Sequence, residues 1–123
     1  NYQKEEMEKI GELIKYAAEG LIQKILPILD NFEIAERRIP ENLKNDDHIK
    51  GLIQTKKQLE DFLKSQGVEE IKSISEKFDA NLQEVVEEVE VKNKASGTII
   101  EEVQKGYKLN GRLLRPSKVK VVK

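Results

Sequence analysis

Cysteine and tryptophan are absent from the 123 residues, and methionine and histidine occur once each. A chain of this kind has no disulfide framework, no thiolate zinc site and no thiol nucleophile, and the lone His48 leaves little for imidazole chemistry. Aromatic rings are scarce, with three Phe and three Tyr, while charged residues make up 37% of the sequence. The interior must therefore be thin and aliphatic. Long apolar runs are also missing. The richest stretch, Leu21 to Leu29, is broken by Gln23, Lys24 and Pro27, so no segment qualifies as a bilayer span or a signal peptide. The length suits one ordinary domain or two small modules, and a soluble, cytoplasmic protein with no membrane partner is expected. Because the charged helical pattern is already running at Asn1, the chain is expected to be part of a longer polypeptide.

What is present divides into two halves. Met7, Ile10, Ile14, Ala17, Leu21, Ile25, Ile28 and Phe32 follow one another at gaps of three and four, a helix period. Leu13, Ile22, Leu26 and Leu29 broaden this stripe from a coiled-coil seam toward the face of a helix bundle. The spacing predicts a long helix over about 3–38, with a kink or break near Pro27, which lacks an N–H and crowds the carbonyl of Gln23. A second helix over about 47–66 carries Ile49, Leu52, Ile53, Leu59, Phe62 and Leu63, with Asp46 or Asp47 as N-cap and Gly67 as a left-handed stop.

Beyond Gly67 short β-branched runs alternate with turn residues. Strands are expected at Val68–Ile71, Val89–Val91, Thr98–Val103, Tyr107–Leu109, Arg112–Leu114 and Lys118–Val122. Asn110-Gly111 is the strongest hairpin signal, because a type I′ turn needs positive φ at both central residues. Leu82, Val85, Val86 and Val89 also fit a helix face; the stretch is read as a short strand. The fold class is α+β: residues 1–66 form a helical dimerisation region and 67–123 a small all-β domain.

A helix of that length reaches roughly 50 Å, whereas the second covers about 30 Å. Met7, Ile10, Ile14 and Ala17 would be left in water. A homodimer resolves this: two long helices pair, two second helices join them, and Leu21, Ile25, Ile28, Phe32, Ile49, Leu52, Leu59 and Leu63 close a four-helix bundle. No catalytic constellation accompanies it. His48 reads as a solvated residue at a helix start, Glu84, Glu87, Glu88 and Glu90 as a solvated acidic run, and Gly106 and Gly111 as turn residues, so neither enzyme chemistry nor a cofactor is expected. Charge is nonetheless polarised. Lys105, Lys108, Arg112, Arg115, Lys118, Lys120 and Lys123 lie in a C-terminal stretch free of acids. Such a ribbon serves nucleic acid, an acidic protein surface, or the acidic strand beside it.

The run Gln104-Lys105-Gly106-Tyr107-Lys108-Leu109-Asn110-Gly111-Arg112-Leu113-Leu114-Arg115-Pro116-Ser117-Lys118-Val119-Lys120-Val121 closely resembles the C-terminal signature of GrpE proteins, nucleotide exchange factors of DnaK-type chaperones. Leu26-Pro27-Ile28-Leu29-Asp30-Asn31-Phe32-Glu33 resembles that family's "LLPVLDNLER" segment. Gly67-Val68-Glu69-Glu70-Ile71, Phe78-Asp79-Ala80-Asn81 and Asn1-Tyr2-Gln3-Lys4 fall where the family places similar stretches. The resemblance implies a dimer whose β-domain engages the chaperone's ATPase domain and holds its nucleotide cleft open, with no nucleic acid involved. The alternative is a nucleic-acid-binding or purely structural dimer using the basic C-terminal region. By position, the resemblance implies chaperone contacts at Phe78, Ala80, Val103, Arg112 and Val121 on the β-domain, and at Gln3, Lys4 and Tyr16 on the long helix. It marks Gly51 as a place where a side chain would disturb the bundle. The chain departs from the family at Ala80 (usually Pro), Gln83 (usually His), Val85 (usually Ala) and Gln3 (usually Arg). The loop at Phe78 is accordingly expected to be less rigid, and a charge contact at the helix is expected to be missing.

Overall fold

A computed structural model describes residues 1–123. Two helices precede six short strands, the α+β order anticipated above. The chain divides into two compact units, Asn1–Glu60 and Asp61–Lys123.

Helix α1 runs unbroken from Tyr2 to Arg37 with Pro27 inside it, so of the expected kink or break the break does not occur. Proline removes one N–H and frees one carbonyl, but the turns on either side keep their ladder, and Ile22, Leu26 and Leu29 are buried around it. Burying these side chains is worth about 1.5–3 kcal/mol each, enough to offset the roughly 3 kcal/mol that an interior proline costs. A 3₁₀ turn at Glu41–Leu43 leads to helix α2, Asp47–Ser65. Asp46 is the N-cap: its Oδ1 accepts from the backbone N–H of His48 at 2.9 Å and of Ile49 at 3.3 Å, satisfying two donors the first turn cannot. The α2 helix ends before Gly67, whose φ of +90° is the left-handed conformation a C-terminal stop requires.

The strands are β1 (Val68–Glu70), β2 (Gln83–Val89), β3 (Ile99–Gln104), β4 (Tyr107–Leu109), β5 (Arg112–Arg115) and β6 (Ser117–Val122). They form two three-stranded sheets, ordered β1-β4-β5 and β2-β6-β3. The first is antiparallel throughout, and its β4–β5 hairpin turns through Asn110 (φ +50°) and Gly111 (φ +84°), the paired positive values a type I′ turn needs. In the second sheet β6 is central, parallel to β2 and antiparallel to β3. The ambiguous stretch before Val89 is strand β2, and its extent corrects the expected Val89–Val91: pairing with β6 selects Gln83–Val89 over either a helix or a later strand.

The β-unit's core is largely aliphatic, with the Tyr107 ring also buried in it. Ile99, Val119 and Val121 form its centre with Val85 packed against them. A polar knot lies beside it. Ser117, fully buried, accepts from the backbone N–H of Gly106 at 3.0 Å and from the Ser73 hydroxyl at 3.0 Å, while Gln83 Nε2 donates to Ser73 at 3.3 Å. A Cβ on Gly106 would stand 2.4 Å from the Ser117 backbone nitrogen, so only glycine allows this approach.

Glu102 borders the knot with its Oε2 buried and without a hydrogen-bond partner. Burial pushes its carboxyl above the ordinary Glu range, against the opposing pull of the Ser73 hydroxyl, and Glu70 adds to the rise. The folded chain thus binds this proton more tightly than the unfolded one. The associated stability is complete below about pH 4.5 and is lost as pH rises through the raised value. Glu102→Gln, which cannot ionise, is expected to be more stable than the parent at neutral pH by about 1 kcal/mol. Urea unfolding at both ends of the range checks this; an advantage that persists undiminished in acid contradicts it.

Candidate chaperone-binding and dimerisation surfaces

The residues implicated by resemblance are divided between the two compact units. Gln3, Lys4 and Tyr16 are exposed on α1, with Tyr16 73% accessible. Phe78, Ala80, Val103, Arg112 and Val121 belong to the other compact unit. Within it, the Phe78 N–H donates to the Gly97 carbonyl at 3.0 Å, which puts the loop beside the start of β3, the strand that carries Val103. Phe78 and Val103 both show apolar surface to solvent. Arg112 is exposed at the foot of the Asn110-Gly111 turn, in the other sheet. Val121 differs from the rest. It is 5% exposed and packs with Ile99 and Val119, so its side chain serves the core and offers no free surface.

The loop after Phe78 has more support than the Ala80 substitution suggested. Asp79 Oδ1 accepts from the Asn81 N–H at 2.9 Å, and the Asp79 carbonyl accepts from Leu82 and Gln83. Gln83 Oε1 accepts from the Asp79 N–H at 2.8 Å while its amide reaches Ser73. The departure from His at position 83 therefore ties the loop to the buried polar knot instead of loosening it. Sequence reasoning missed Gln83 and Ser117 as positioning residues because only tertiary structure shows that both are buried.

Much of the basic C-terminal charge is engaged within the chain. Lys120 on β6 sits between Glu101 at 3.2 Å and Glu87 at 3.3 Å, and the hydrogen bonds it donates to Glu101 and Glu87 hold its ammonium above the ordinary Lys range. Lys105 meets Glu70 at 3.5 Å. Arg115 donates from Nε to the Lys105 carbonyl at 2.8 Å and lies over the Tyr107 ring. This is the third use raised for the basic ribbon, pairing with the neighbouring acidic strand. No group of three or more acidic, His or Cys side chains is placed to hold a metal ion, and no helix is long and apolar enough to cross a membrane.

In the helical unit the apolar stripe on α1 is largely open: Met7, Ile10, Ile14, Leu21 and Ile28 are all more than half exposed. Ala17 is exposed, Ile25 and Phe32 are half-buried, and on α2 Leu52 is exposed while Ile49 and Leu59 are half-buried. Leu63, placed in the same set, is 2% exposed and needs no second chain to cover it. A groove of about 380 Å³ lies between α1 and α2, lined by Ile28, Phe32, Ile39, Ile49, Leu52 and the stem of Lys56 among others. A Cβ on Gly51 would meet nothing within 4 Å, so nothing within a single chain requires glycine there.

These are the features of a known family. The whole chain, residues 1–123, matches the family model described as GrpE. This chain belongs to the GrpE family. It is 40% identical over 121 residues to the "Protein GrpE" of Bacillus velezensis, covering 98% of this chain and 63% of that protein. It is 41% identical over 123 residues to that of Oceanobacillus iheyensis, covering 100% and 64%. For Bacillus subtilis the values are 36% over 121 residues, 98% and 65%. The chain thus spans a little under two thirds of the length of these GrpE relatives.

One ion cluster joins the helices of this GrpE-family chain. Lys56 of α2 reaches Glu33 of α1 at 2.5 Å and also pairs with Glu36. Burial works against its charge, but the hydrogen bonds it donates to Glu33 and Glu36 outweigh it and hold the ammonium above the ordinary Lys range. That stabilisation is complete below about pH 10.5 and is lost as pH rises through the raised value. Lys56→Met would leave two carboxylates facing each other without a cation. The expected cost is about 2–3 kcal/mol, below that of a fully buried pair because Glu36 remains 39% exposed. Urea unfolding at fixed protein concentration reads the cost, and it should shrink in strong alkali.

Proposed function

We propose that this chain is a GrpE-like co-chaperone: a homodimeric nucleotide exchange factor that binds the ATPase domain of a DnaK-type chaperone in the cytoplasm. It promotes ADP release by stabilising the open nucleotide cleft. Membership of the GrpE family over all 123 residues is the observation that carries this reading. The two helices followed by a compact β-unit, and Arg112 exposed beside a defined turn, support it.

The mechanism requires no bond chemistry, and the protein is not an enzyme. A binder that prefers the open cleft to the closed one shifts the population toward the state from which ADP leaves, by as much as its affinities for the two states differ. Linkage then requires ADP or ATP to weaken the complex by the same factor with which the complex weakens nucleotide. Arg112 supplies the charged contact, and Phe78, Ala80 and Val103 a small apolar patch. Val121 supports that patch from the core. Gln3, Lys4 and Tyr16 provide contacts along the long helix.

The open stripe on α1 supports the dimer. Exposed apolar side chains spaced along one face of a helix are costly in water, and a second copy covers them with an identical face, closing a four-helix bundle with α2. Residues 1–66 form this dimerisation region and residues 67–123 the chaperone-contacting β-domain.

Two outcomes test the reading. Arg112→Ala is expected to weaken chaperone binding by about 1.5–3 kcal/mol, the worth of a desolvated charge contact, without loss of thermal stability. Release of labelled ADP from a DnaK-type chaperone reports it, and undiminished stimulation contradicts the assignment. A purely structural dimer would leave ADP release unchanged even with the parent protein. Ile14→Glu, which puts a charge in the stripe, is expected to shift the species seen by sedimentation equilibrium from dimer to monomer at micromolar concentration. A dimer of unchanged affinity would exclude this seam.

A further inference from the structure

The β4–β5 turn carries a chemistry that nucleotide exchange does not use. Asn110 is followed by Gly111, both are exposed, and nothing lies within 4 Å of where a Gly111 side chain would begin. Gly111 therefore brings no side chain to crowd the nitrogen that follows Asn110. The Asn110 carboxamide rests on the bare α-carbon of Gly67: a Cβ at position 67 would stand 2.1 Å from Asn110 Oδ1 and 2.9 Å from its Cγ. The seat is completed by the Asn110 N–H, which donates to the Gly67 carbonyl at 2.9 Å.

We infer that Asn110-Gly111 is a site of spontaneous deamidation, gated by the Gly67 seat, whose product disables the neighbouring Arg112. The step needs only water. The Gly111 nitrogen bonds to Asn110 Cγ, the Cγ–Nδ2 bond breaks, and Nδ2 leaves as ammonia with the proton given up by Gly111. Water then opens the cyclic imide at either carbonyl, giving aspartate or, when the main chain is left running through Cγ, isoaspartate. No electrons are transferred. Ring closure requires Cγ to leave Gly67 and swing toward the next nitrogen, so the rate follows local opening of the hairpin from the helix end.

The product matters because of where it forms. Either acid puts a negative charge two residues from Arg112 in place of a neutral amide. Isoaspartate also adds one atom to the main chain of a two-residue turn, whose length sets the register of Leu109 opposite Arg112. The functional consequence rests on Arg112 being a chaperone contact; the chemistry does not.

The experiment ages the full-length chain at neutral to mildly alkaline pH, natively and in urea, with mass spectrometry of the peptide containing residue 110 and an isoaspartate-specific methyl-transfer assay. The acid is expected to accumulate in the native protein, more slowly than in urea. Stimulation of ADP release should fall in proportion to the remaining amide, toward the level of Arg112→Ala. Asn110→Gly, which keeps a residue at ease with positive φ but has no amide, should age without that loss. An unchanged amide after prolonged native ageing overturns the site, and equal rates in the two conditions overturn the gate. Equal fading of Asn110→Gly overturns the consequence for Arg112. If Arg112→Ala in fresh protein leaves exchange intact, the chaperone-contact reading fails while the deamidation result stands.

Discussion

Strand β6 is the middle of its sheet, and there its polar face finds carboxylates on both sides. Lys120 lies between Glu87 of β2 and Glu101 of β3, while Val119 and Val121 on the opposite face sit in the core. A lysine at the centre of a sheet would otherwise carry its charge into a crowded surface with no compensation. The acidic run and the basic run, far apart in the chain, are thus two halves of one pairing. The parallel β2–β6 register agrees with it, placing Glu84 opposite Lys118 and Glu87 opposite Lys120. Much of the charge that first suggested nucleic acid is engaged within the fold.

The same strand begins at Ser117, whose buried hydroxyl receives Gly106 and Ser73. Through Ser73 and Gln83 that knot extends to Asp79 and the loop carrying Phe78 and Ala80. The proposed contact surface is therefore held from below by polar groups that never reach solvent. A loop fixed in this way loses little further entropy on binding, which compensates for the absence of proline at position 80. Glu102, buried at the edge of the knot with one oxygen unpartnered, marks a place where the arrangement costs stability. Polar groups at such a depth favour a single geometry over maximum stability.

The helical unit depends on a different arrangement. Its aliphatic stripe is too long for α2 to cover, and the Lys56 cluster with Glu33 and Glu36 fixes how α2 lies on α1. With that angle set, an apolar groove and an apolar stripe remain on one unit. The proposed four-helix assembly would draw on this surface. Lys4 and Tyr16 belong to one compact unit and Phe78, Ala80, Val103 and Arg112 to the other, so the proposed chaperone contacts draw on both.

Residues whose signals are local were legible from the amino acids alone. The helix period of Met7 to Phe32, the Asp46 cap, the stop at Gly67, the Asn110-Gly111 turn and the β-branched runs all depend on neighbours within a few positions. The C-terminal motif and the family likeness belong to the same category. Other features depended on residues far apart in the chain and were settled only by folding. They include the unbroken path of α1 through Pro27, the choice of Gln83–Val89 as a strand parallel to β6, the burial of Val121, and the seating of Asn110 on Gly67. Strand partners and burial are decided by which distant surfaces meet once the chain has closed its loops, and no short window of sequence contains that information.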